Sequence, residues 1–392
     1  MTDRRSMADD LVLEALRSLR SLLAMDVAFV SEFRDGRRVF RHVDSGDASI
    51  PVGVGASDAL EDSYCQRIVD GRLPGLMQDA RAVPEALRLR ATREIPVGAH
   101  LSVPIRLDDG RIYGTLCCFS RAGNSGLGQR DLEIVRCFAD MASRFIQEQA
   151  AQERQERELQ ALHREVLAAQ RFHIVYQPIV QVADRRVVGY EALARFVDPP
   201  ARPPDQWFRE AERIGMQTPL EVGVMRKALQ ALELVPASVY VSINASPRTI
   251  LEGGIDSLFD GEDCARVLLE LTEHSSVDDY AVIARVLAPL RRRGLRIAVD
   301  DAGAGYASFR HILKLRPDVI KLDNSLIRQV DSDRGYRALA AALVRFAEET
   351  GSEVVAEGVE TQAELQVLEE LEVGHAQGYL LGRPAPLERY VA

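Results

Sequence analysis

The fold of the C-terminal half is decided by a pattern seen in Leu295-Arg-Ile-Ala-Val-Asp-Asp301, where a short apolar run ends in two carboxylates. Seven other short apolar runs surround it, at residues 174–182, 187–194, 239–245, 267–271, 319–322, 354–356 and 378–381. Helix-length segments separate most of the eight runs, which is typical of a parallel (β/α)8 TIM barrel. Only residues 183–186 separate the first two runs. Because that connection is too short for a helical crossover, we predict that these two strands are antiparallel.

Polar side chains end nearly every run of this predicted barrel. They are Glu191, Asn244, Glu270, Asp300, Asp301, Lys321, Glu357, Glu360 and Gln377. Because the carboxyl ends of barrel strands meet at one mouth, we expect these side chains to lie together. Clustered carboxylates repel one another and need cations, and an oxygen-rich set without His or Cys suits Mg²⁺ or Mn²⁺. Two such ions about 3.5–4 Å apart can clamp a phosphodiester.

Individual residues of this set suit particular steps of such a reaction. Asp300 and Asp301 are adjacent and can bridge two ions, Lys321 can stabilise negative charge or orient a water, and Glu357 can accept its proton. Taken singly, a carboxylate at a strand end is more often a helix cap or a surface charge. The repetition over successive strands predicts a metal-dependent barrel hydrolase, but it does not name a substrate.

The chain outside the barrel shows two further zones. Residues 11–145 contain two hairpin patterns, one turning at Asp35-Gly36 and one at Asp108-Asp-Gly110, which predict an α+β domain with an antiparallel sheet. Residues 129–170 contain neither Pro nor Gly and predict one long connecting helix, either a solvated linker or half of a paired coiled coil. We therefore divide the chain into residues 1–146, a helical linker at 147–170, and a barrel domain at 171–392.

Composition limits the classes of function. The net charge of −10 over 392 residues argues against binding to DNA or RNA polymers, although a small anionic ligand remains compatible with local cations. No apolar run is long enough to span a bilayer, so we expect no membrane insertion. The five cysteines form no CxxC pair and predict reduced thiols in a cytoplasmic protein.

The barrel segment resembles the EAL-domain cyclic di-GMP phosphodiesterases over residues 172–392. The matching motifs, in order, are Tyr176-Gln-Pro-Ile-Val180, Gly189-Tyr-Glu-Ala-Leu-Ala-Arg195, Asn244, Glu270-Leu-Thr-Glu273, Asp300-Asp301, Lys321-Leu-Asp323, Glu357-Gly-Val-Glu360 and Gln377-Gly-Tyr379. Each motif is weak alone, but their order makes the resemblance specific. It implies hydrolysis of cyclic di-GMP to linear pGpG, two divalent metal ions, Mg²⁺ or Mn²⁺, and a homodimer.

The resemblance also implies a role for each site residue. One metal ion is implied at Glu191, Asn244, Glu270 and Asp300. The second is implied at Asp300 and Asp301, with Glu360, Glu357 or Gln377 nearby. Lys321 and Glu357 are implied to handle the attacking water, and Glu273 to anchor the loop after Asp301. The implied substrate contacts are Gln177, Arg195, Asp318 and Gln377.

The loop after the paired aspartates departs from the family pattern. The family usually has Asp-Asp-Phe-Gly-Thr-Gly, whereas this chain has Ala302 in place of the Phe and Ala304 in place of the Thr. This departure leaves open an alternative in which the domain is a catalytically weak or silent cyclic di-GMP receptor or interaction module. A third alternative is an unrelated metal-dependent barrel hydrolase that shares the layout.

The N-terminal zone resembles a GAF domain, a sensor module, more loosely and over residues 11–146. The resemblance depends on the order of helices and hairpins, with Val103-Pro-Ile105 and Ile112-Tyr-Gly-Thr-Leu116. It implies control of the barrel by a soluble signal, but the GAF ligand stays unknown. No Cys-His pair indicates a covalent bilin, and His42 and His100 are weak candidates for haem ligation. No Gly-Gly-Asp-Glu-Phe segment indicates diguanylate cyclase activity.

Overall fold

The computed structural model describes residues 2–47, 49–197, 202–253, 255–271, 280–302 and 313–391. The chain divides into two compact units, Met1–Gln155 and Glu156–Ala392, and the boundary falls within one long helix. This helix spans Gln129–Ala168, which confirms the helix predicted for residues 129–170. Among the described residues, no helix is both long enough and apolar enough to cross a membrane.

The N-terminal unit contains a six-stranded sheet in which every neighbouring pair is antiparallel. Its strands are β1 (Val27–Arg34), β2 (Arg37–Ser45), β3 (Ser57–Ala59), β4 (Leu76–Met77), β5 (His100–Arg106) and β6 (Ile112–Phe119), in the order β3-β2-β1-β6-β5-β4. Both predicted hairpins are confirmed, as β1–β2 and β5–β6. At the first turn Asp35 and Gly36 have φ values of 52° and 72°, the backbone that a tight two-residue hairpin requires.

Side chains of this sheet alternate between two hydrophobic cores. Ala28 and Leu116 face one core, whereas Phe29 and Cys117 face the other. Helices cover both faces: α1 (Thr2–Leu22), α2 (Tyr64–Val69), α3 (Pro84–Leu87), α4 (Arg90–Glu94) and the first part of α5 (Gln129–Ala168). The first core packs on α1 and α5, and the second packs on the short helices α2–α4.

The C-terminal unit is a closed barrel of eight strands. They are β7 (Phe172–Gln181), β8 (Val187–Phe196), β9 (Tyr240–Ala245), β10 (Val267–Leu271), β11 (Arg296–Ala302), β12 (Val319–Leu322), β13 (Glu353–Ala356) and β14 (His375–Ala376). Strand β7 is antiparallel to both neighbours, β8 and β14, and the other neighbouring pairs are parallel. The predicted barrel and its antiparallel first pair are therefore confirmed.

The position predicted for the eighth strand is wrong. The strand is His375–Ala376, and residues 378–381 form a turn instead. Gly378 packs so tightly against the backbone of Val359 that a Cβ at this position would lie 2.1 Å from its carbonyl oxygen. The apolar run after it is not a strand, and its side chains Tyr379 and Leu380 are exposed.

Helices surround the barrel and bury its outward-facing side chains. They are α6 (Pro204–Arg213), α7 (Gln217–Leu229), α8 (Pro247–Leu251), α9 (Tyr280–Arg292), α10 (Asn324–Ile327), α11 (Arg334–Thr350), α12 (Gln362–Glu370) and α13 (Glu388–Val391). Alternate residues along each strand, such as Val241 and Ile243 of β9, belong to the main core beneath these helices. The residues between them point into the barrel.

Candidate active site

The inside of the barrel changes from apolar to polar along each strand. A small apolar layer contains Ile179, Tyr240, Leu268, Ala298, Val319 and Val355. Two residues nearer the mouth, the same strands carry Gln177, Ser242, Glu270, Asp300, Lys321 and Glu357. Because residues two apart on a strand point to the same side, the strand period places this second set in one polar layer.

The ammonium group of Lys321 lies at the centre of four carboxylates. Its Nζ is 2.5 Å from Glu357 Oε1, 2.7 Å from Glu270 Oε2, 3.4 Å from Asp300 Oδ1 and 3.8 Å from Glu191 Oε1. Lys321 is 1% exposed and Glu270 is fully buried. With every group ionised the cluster carries three more negative charges than positive ones, so it attracts further cations or protons.

Burial and mutual charge shift the pKa values of this cluster. Burial raises the pKa of Glu270 to about 8 despite the opposing effect of Lys321, and the charges of Glu191 and Asp300 add to the rise. The pKa of Glu357 is raised well above its usual range for the same reasons, burial first. Burial works in the opposite direction on Lys321, but the surrounding carboxylates raise its pKa well above the usual value. All three groups therefore hold their protons more tightly than they would in water.

Amide side chains complete the polar layer. The Nε2 group of Gln377 donates to Glu191 and, at 2.9 Å, to Oε1 of Gln177, whose own Nε2 donates to the carbonyl oxygen of Gly382 at 3.0 Å. Asn244 Nδ2 donates to Glu191 Oε1 at 3.4 Å. Gln377 Oε1 is buried and has no hydrogen-bond partner among the residues that the structure describes. This oxygen is an acceptor available to a cation or a donor.

Two cavities open beside this layer. The first has a volume of about 280 Å³ and is lined by Glu191, Asp300, Lys321, Glu357 and Gln377, with others. The second has a volume of about 350 Å³ and a mainly apolar wall, with Arg195, Phe208 and Asn244 among its residues. Leu193 lines both cavities, so a charged pocket and an apolar pocket adjoin at β8.

The donor set fits divalent cations in its chemistry. The cluster offers carboxylate and amide oxygens with excess negative charge, and Gln377 Oε1 is an unpartnered acceptor next to it. Among the described residues no three Asp, Glu, His or Cys side chains converge on one point in the way that would hold an ion. The physical reason is that the ammonium of Lys321 lies between the carboxylates.

The structure brings most, but not all, of the predicted site residues together at the mouth of the barrel. The structure brings Glu191, Glu270, Asp300, Lys321, Glu357, Gln377, Gln177 and Asn244 together at the mouth. Glu360 lines the first cavity but pairs with Arg328 at 3.1 Å, away from Lys321. Arg195 lines the second cavity, where its guanidinium donates to the carbonyl oxygen of Ala194 at 2.8 Å.

Asp318 is not brought to this site. It precedes β12, so it lies at the amino end of the strand whose other end carries Lys321. Its carboxylate accepts hydrogen bonds from Arg291, at 3.1 and 3.2 Å, and from the backbone N–H of Ile297 at 2.8 Å. We correct the expectation that Asp318 contacts the substrate: it secures a connection at the far end of the barrel.

Two further predicted residues lie outside the part of the site that can be described. Glu273 falls in residues 272–279, and the side chain of Asp301 is likewise not described. Ala304 falls in residues 303–312. Ala302, by contrast, is fully buried at the end of β11 and pairs with Leu322.

Sequence reasoning missed three polar residues of the site. Ser242 is fully buried and donates from Oγ to Oε1 of Glu270, while Asn324 and Arg328 line the first cavity. Ser242 could have been predicted, because it lies two residues before Asn244 on the same strand and therefore faces the same side. Asn324 and Arg328 begin and follow the four-residue helix α10, and no strand periodicity points to them.

A sequence profile of the EAL domain matches residues 159–384, more than half of the chain. The chain belongs to the EAL domain family. A profile of the GAF domain matches residues 8–146, which identifies the N-terminal unit. The predicted fold class, an EAL-type barrel after an α+β GAF domain and a connecting helix, is thus confirmed.

Relatives of this EAL protein include named phosphodiesterases. The chain is 30% identical over 233 residues to the probable cyclic di-GMP phosphodiesterase PdeD of Escherichia coli K12, which covers 57% of this chain and 43% of that protein. The structure resembles the PaMucR phosphodiesterase in complex with c-di-GMP, with 27% identity, a TM-score of 0.54, and coverage of 59% of this chain and 99% of that one.

A second solved structure connects the family to divalent metals. Klebsiella pneumoniae BlrP1, in a calcium and cyclic di-GMP complex, is 30% identical with a TM-score of 0.51, over 55% of this chain and 56% of that one. The chain spans about two fifths of the length of the curated relatives it matches: 43% of PdeD, and 41% and 36% of two others.

Proposed function

We propose that this EAL protein hydrolyses cyclic di-GMP to linear pGpG with two divalent ions, Mg²⁺ or Mn²⁺. The observation that carries the proposal is the cluster of four carboxylates around Lys321, which has excess negative charge and opens into a cavity. Divalent ions bound by such a cluster would attract an anionic phosphodiester, which the acidic side chains alone would repel. The names of the relatives supply the substrate class.

The chain's own residues divide into ion ligands and groups that act on the substrate. We assign Glu191, Asn244, Glu270 and Asp300 to one ion, and Asp300 with Asp301 to the other. When bound, divalent ions supply Lewis acidity at a phosphoryl oxygen and lower the pKa of a bound water. The hydrogen bonds from Gln377 and Asn244 hold the carboxylate of Glu191 in place for this task.

Lys321 and Glu357 are positioned to handle the attacking water. Their charged groups are 2.5 Å apart, so a water that displaces either from this contact stays within reach of both. Glu357 accepts the proton of the water, while the ammonium of Lys321 stabilises the negative charge that develops on the phosphate.

The adjoining cavities account for a substrate that carries both charge and bases. The phosphodiester belongs in the acidic cavity, which Gln177 and Gln377 help to line, and a purine base belongs in the apolar cavity beside Phe208. Arg195 lines the apolar cavity and can contact a phosphate or a guanine edge. In this proposal Glu273 anchors the loop after Asp301, the GAF unit responds to a soluble ligand of unknown identity, and the protein acts as a homodimer in the cytoplasm.

The test is a chromatographic assay of the purified chain with cyclic di-GMP, in the presence of Mg²⁺, Mn²⁺ or a chelator. We expect pGpG to form only with metal. Metal binding followed by no turnover, with the substrate recovered intact, would overturn the proposal. Unrelated diesters serve as controls, since equal turnover of all of them would point to an unspecific barrel hydrolase.

A second candidate function is a receptor that binds cyclic di-GMP without hydrolysing it. The observation that favours it is Ala302, which is fully buried at the end of β11, where the family pattern has a larger aromatic residue. A smaller side chain at this point changes the support of the loop that follows the paired aspartates. An Ala302→Phe variant separates the candidates: a receptor should gain turnover, whereas an active enzyme should lose stability through overpacking.

A further inference from the structure

Outside the barrel, the GAF unit contains a pair of cysteines in direct contact. Cys65 lies in the first turn of α2 and Cys117 in β6, and their sulfur atoms are 3.5 Å apart although 52 residues separate them. Both side chains are fully buried in the core between the sheet and the short helices. The other described cysteines make no such contact: Cys118 faces the opposite core, Cys137 is exposed, and Cys264 lies in the barrel unit, where its sulfur contacts the carbonyl oxygen of Glu262.

A buried cation touches this pair. Arg38 Nη1 donates to Cys65 Sγ at 3.2 Å, while the other side of the guanidinium pairs with Asp58. The rings of Phe40 and Phe29 lie 4.6 and 5.7 Å from the guanidinium carbon. The guanidinium is therefore fixed with one edge aimed at the sulfur.

Hydroxyl groups surround the second sulfur. Cys117 Sγ is 3.0 Å from Ser102 Oγ and 3.2 Å from Thr115 Oγ1, and Ser31 Oγ is 3.0 Å from Thr115 Oγ1. All three residues are buried. Their hydroxyl groups therefore contact the sulfur of Cys117 or one another.

We propose that Cys65 and Cys117 form an oxidant-reactive dithiol, which hydroperoxides convert to an intradomain disulfide between α2 and β6. This modification site is independent of the phosphodiester chemistry proposed for the barrel. Buried thiols are usually inert, and the geometry shows why this pair differs: a resolving thiol and a fixed cation both touch Cys65.

The charge state of the pair agrees with this geometry. Burial alone would raise the pKa of Cys65, but the hydrogen bond from Cys117 and the charge of Arg38 lower it to about 5. Burial, together with Cys65, raises the pKa of Cys117 well above the usual value. Burial without a cation raises the pKa of neighbouring Cys118 to about 12. Cys65 is thus the thiolate and Cys117 the thiol.

The chemistry balances with one hydroperoxide per disulfide. The thiolate of Cys65 attacks the outer peroxide oxygen, the O–O bond breaks, and the departing alkoxide takes the proton that Cys65 had released, leaving an alcohol and a sulfenic acid. The sulfur of Cys117 then attacks the Cys65 sulfur, the S–O bond breaks, and its proton leaves with the hydroxide as water. Two thiols are oxidised and the hydroperoxide is reduced.

An oxidant can reach the buried sulfur atoms, and the two sulfur atoms can approach closely enough to form a disulfide. Helix α2 has six residues, and Glu61, Asp62 and Asp70 on either side of it are exposed, so opening of one short helix reaches the sulfur atoms. A disulfide needs the sulfur atoms at about 2.05 Å, roughly 1.5 Å closer than they are now. Side-chain rotation on a six-residue helix can supply that distance.

The test compares cysteines of one chain under hydrogen peroxide at near-stoichiometric amounts. The reduced 392-residue chain is oxidised, denatured, alkylated and digested, and each cysteine is quantified by mass spectrometry. We expect free thiols to fall from five to three, a peptide pair joined through Cys65 and Cys117, and a loss rate for this pair at least ~10-fold above that of equally buried Cys118. Equal rates for Cys65, Cys117 and Cys118 would overturn the proposal, as would loss confined to Cys137.

Two variants sharpen the assignment. In Cys117→Ser the sulfenic acid of Cys65 should persist and react with dimedone, whereas no dimedone adduct at Cys65 would contradict its role as the attacking thiol. In Arg38→Met the thiolate fraction at pH 7 should fall to that of an ordinary thiol or lower, slowing oxidation by about 30-fold or more. An unchanged oxidation rate in a folded Arg38→Met protein would show that the guanidinium does not activate Cys65. If that variant does not fold, the comparison with Cys118 still decides.

Discussion

Both units of the protein bury a cation, but they balance its charge in different ways. In the barrel, Lys321 is 1% exposed and faces four carboxylates across an open cavity. In the GAF unit, Arg38 is 7% exposed and faces one carboxylate, Asp58, one sulfur, Cys65, and two aromatic rings. The barrel cluster has a surplus of three negative charges, whereas the GAF cluster, with Cys65 ionised, has a surplus of one.

The difference separates two kinds of buried cluster: one whose charge must be compensated by a ligand, and one whose own side chains compensate it. Buried charges are costly unless they are paired, so a balanced cluster is stable without help. A cluster with surplus charge is stable only if protons or metal ions compensate it, and that requirement is typical of catalytic sites. Removing a carboxylate from the surplus cluster and removing its cation should therefore have opposite effects on stability, which the first two predictions use.

The largest effect is expected from Glu191→Ala. The change removes an assigned metal ligand, so turnover of cyclic di-GMP should fall at least about 10³-fold, roughly 4 kcal/mol of barrier. The metal-free melting temperature should not fall, because one negative charge leaves a cluster that has too many. The cyclic di-GMP assay with Mn²⁺ and a metal-free thermal melt measure the two effects. Glu233→Ala, at an exposed position, is the control. A strong loss of metal-free stability would contradict the surplus of charge.

The second effect is expected from Lys321→Met, and its stability change has the opposite sign. Without the ammonium, four carboxylates remain with no cation, so the metal-free barrel should lose about 3–5 kcal/mol. Turnover should fall about 10²–10³-fold even with saturating metal, because charge stabilisation is lost. Metal affinity should be kept or increased, since a competing positive charge is gone. Lys314→Met, on the surface, is the matched control. A variant defective only in metal affinity would refute the assigned role.

Much of this fold and site could be predicted from the order of residues. The barrel followed from apolar runs that end in polar residues, because strand period and parallel direction together bring those ends to one mouth. Glu191, Glu270, Asp300 and Lys321 were found in this way. The sequence was also sufficient for the first GAF hairpin, since Asp35-Gly36 accepts the positive φ values that the turn requires.

The remaining features depend on packing that no local pattern encodes. Asp318 is a short distance along the chain from Lys321, yet it lies at the other end of the strand, and only the direction of β12 reveals this. Residues 378–381 are apolar enough for a strand but are held in a turn by the close approach of Gly378 to Val359. The contact between Cys65 and Cys117 joins a helix to a strand 52 residues away, and cysteine spacing alone does not predict it.

A third prediction concerns acid sensitivity in the GAF unit. His100 is buried against the ring of Tyr64, and burial together with the charge of Arg38 lowers its pKa to about 3. Since the folded pKa is below the unfolded value of about 6.5, the stabilising contribution is complete above pH 6.5 and declines as the pH falls towards 3. By pH 5 the GAF unit should lose about 2 kcal/mol from this residue. Hydrogen exchange of β5 peptides between pH 7 and pH 5 measures the loss, after correction for the intrinsic exchange rate.

His100→Phe is the matched variant for this measurement, because Phe keeps an aromatic ring against Tyr64 and cannot take up a proton. Its β5 peptides should lose about 2 kcal/mol less protection than those of the parent between pH 7 and pH 5. The same decline in both proteins would mean that another group controls the acid response. That outcome would weaken the contrast between the units, since the GAF interior would then contain a further uncompensated charge.

The smallest effect is expected from Ser242→Ala, which tests whether the surplus charge of the barrel is held in a fixed arrangement. Ser242 Oγ donates to one oxygen of Glu270, and Lys321 holds the other at 2.7 Å. Loss of the hydroxyl should free one oxygen to rotate and reduce Mn²⁺ affinity or turnover about 10-fold. Ser242→Thr should restore most of this loss because it keeps the hydroxyl. Ser352→Ala, which removes a hydrogen bond to the Pro317 carbonyl at the opposite end of the barrel, should leave both quantities unchanged. If Ser242→Ala, like Ser352→Ala, leaves Mn²⁺ affinity and turnover unchanged, then Lys321 alone orients Glu270. The hydrogen bond from Ser242 would then not be needed to position the surplus charge.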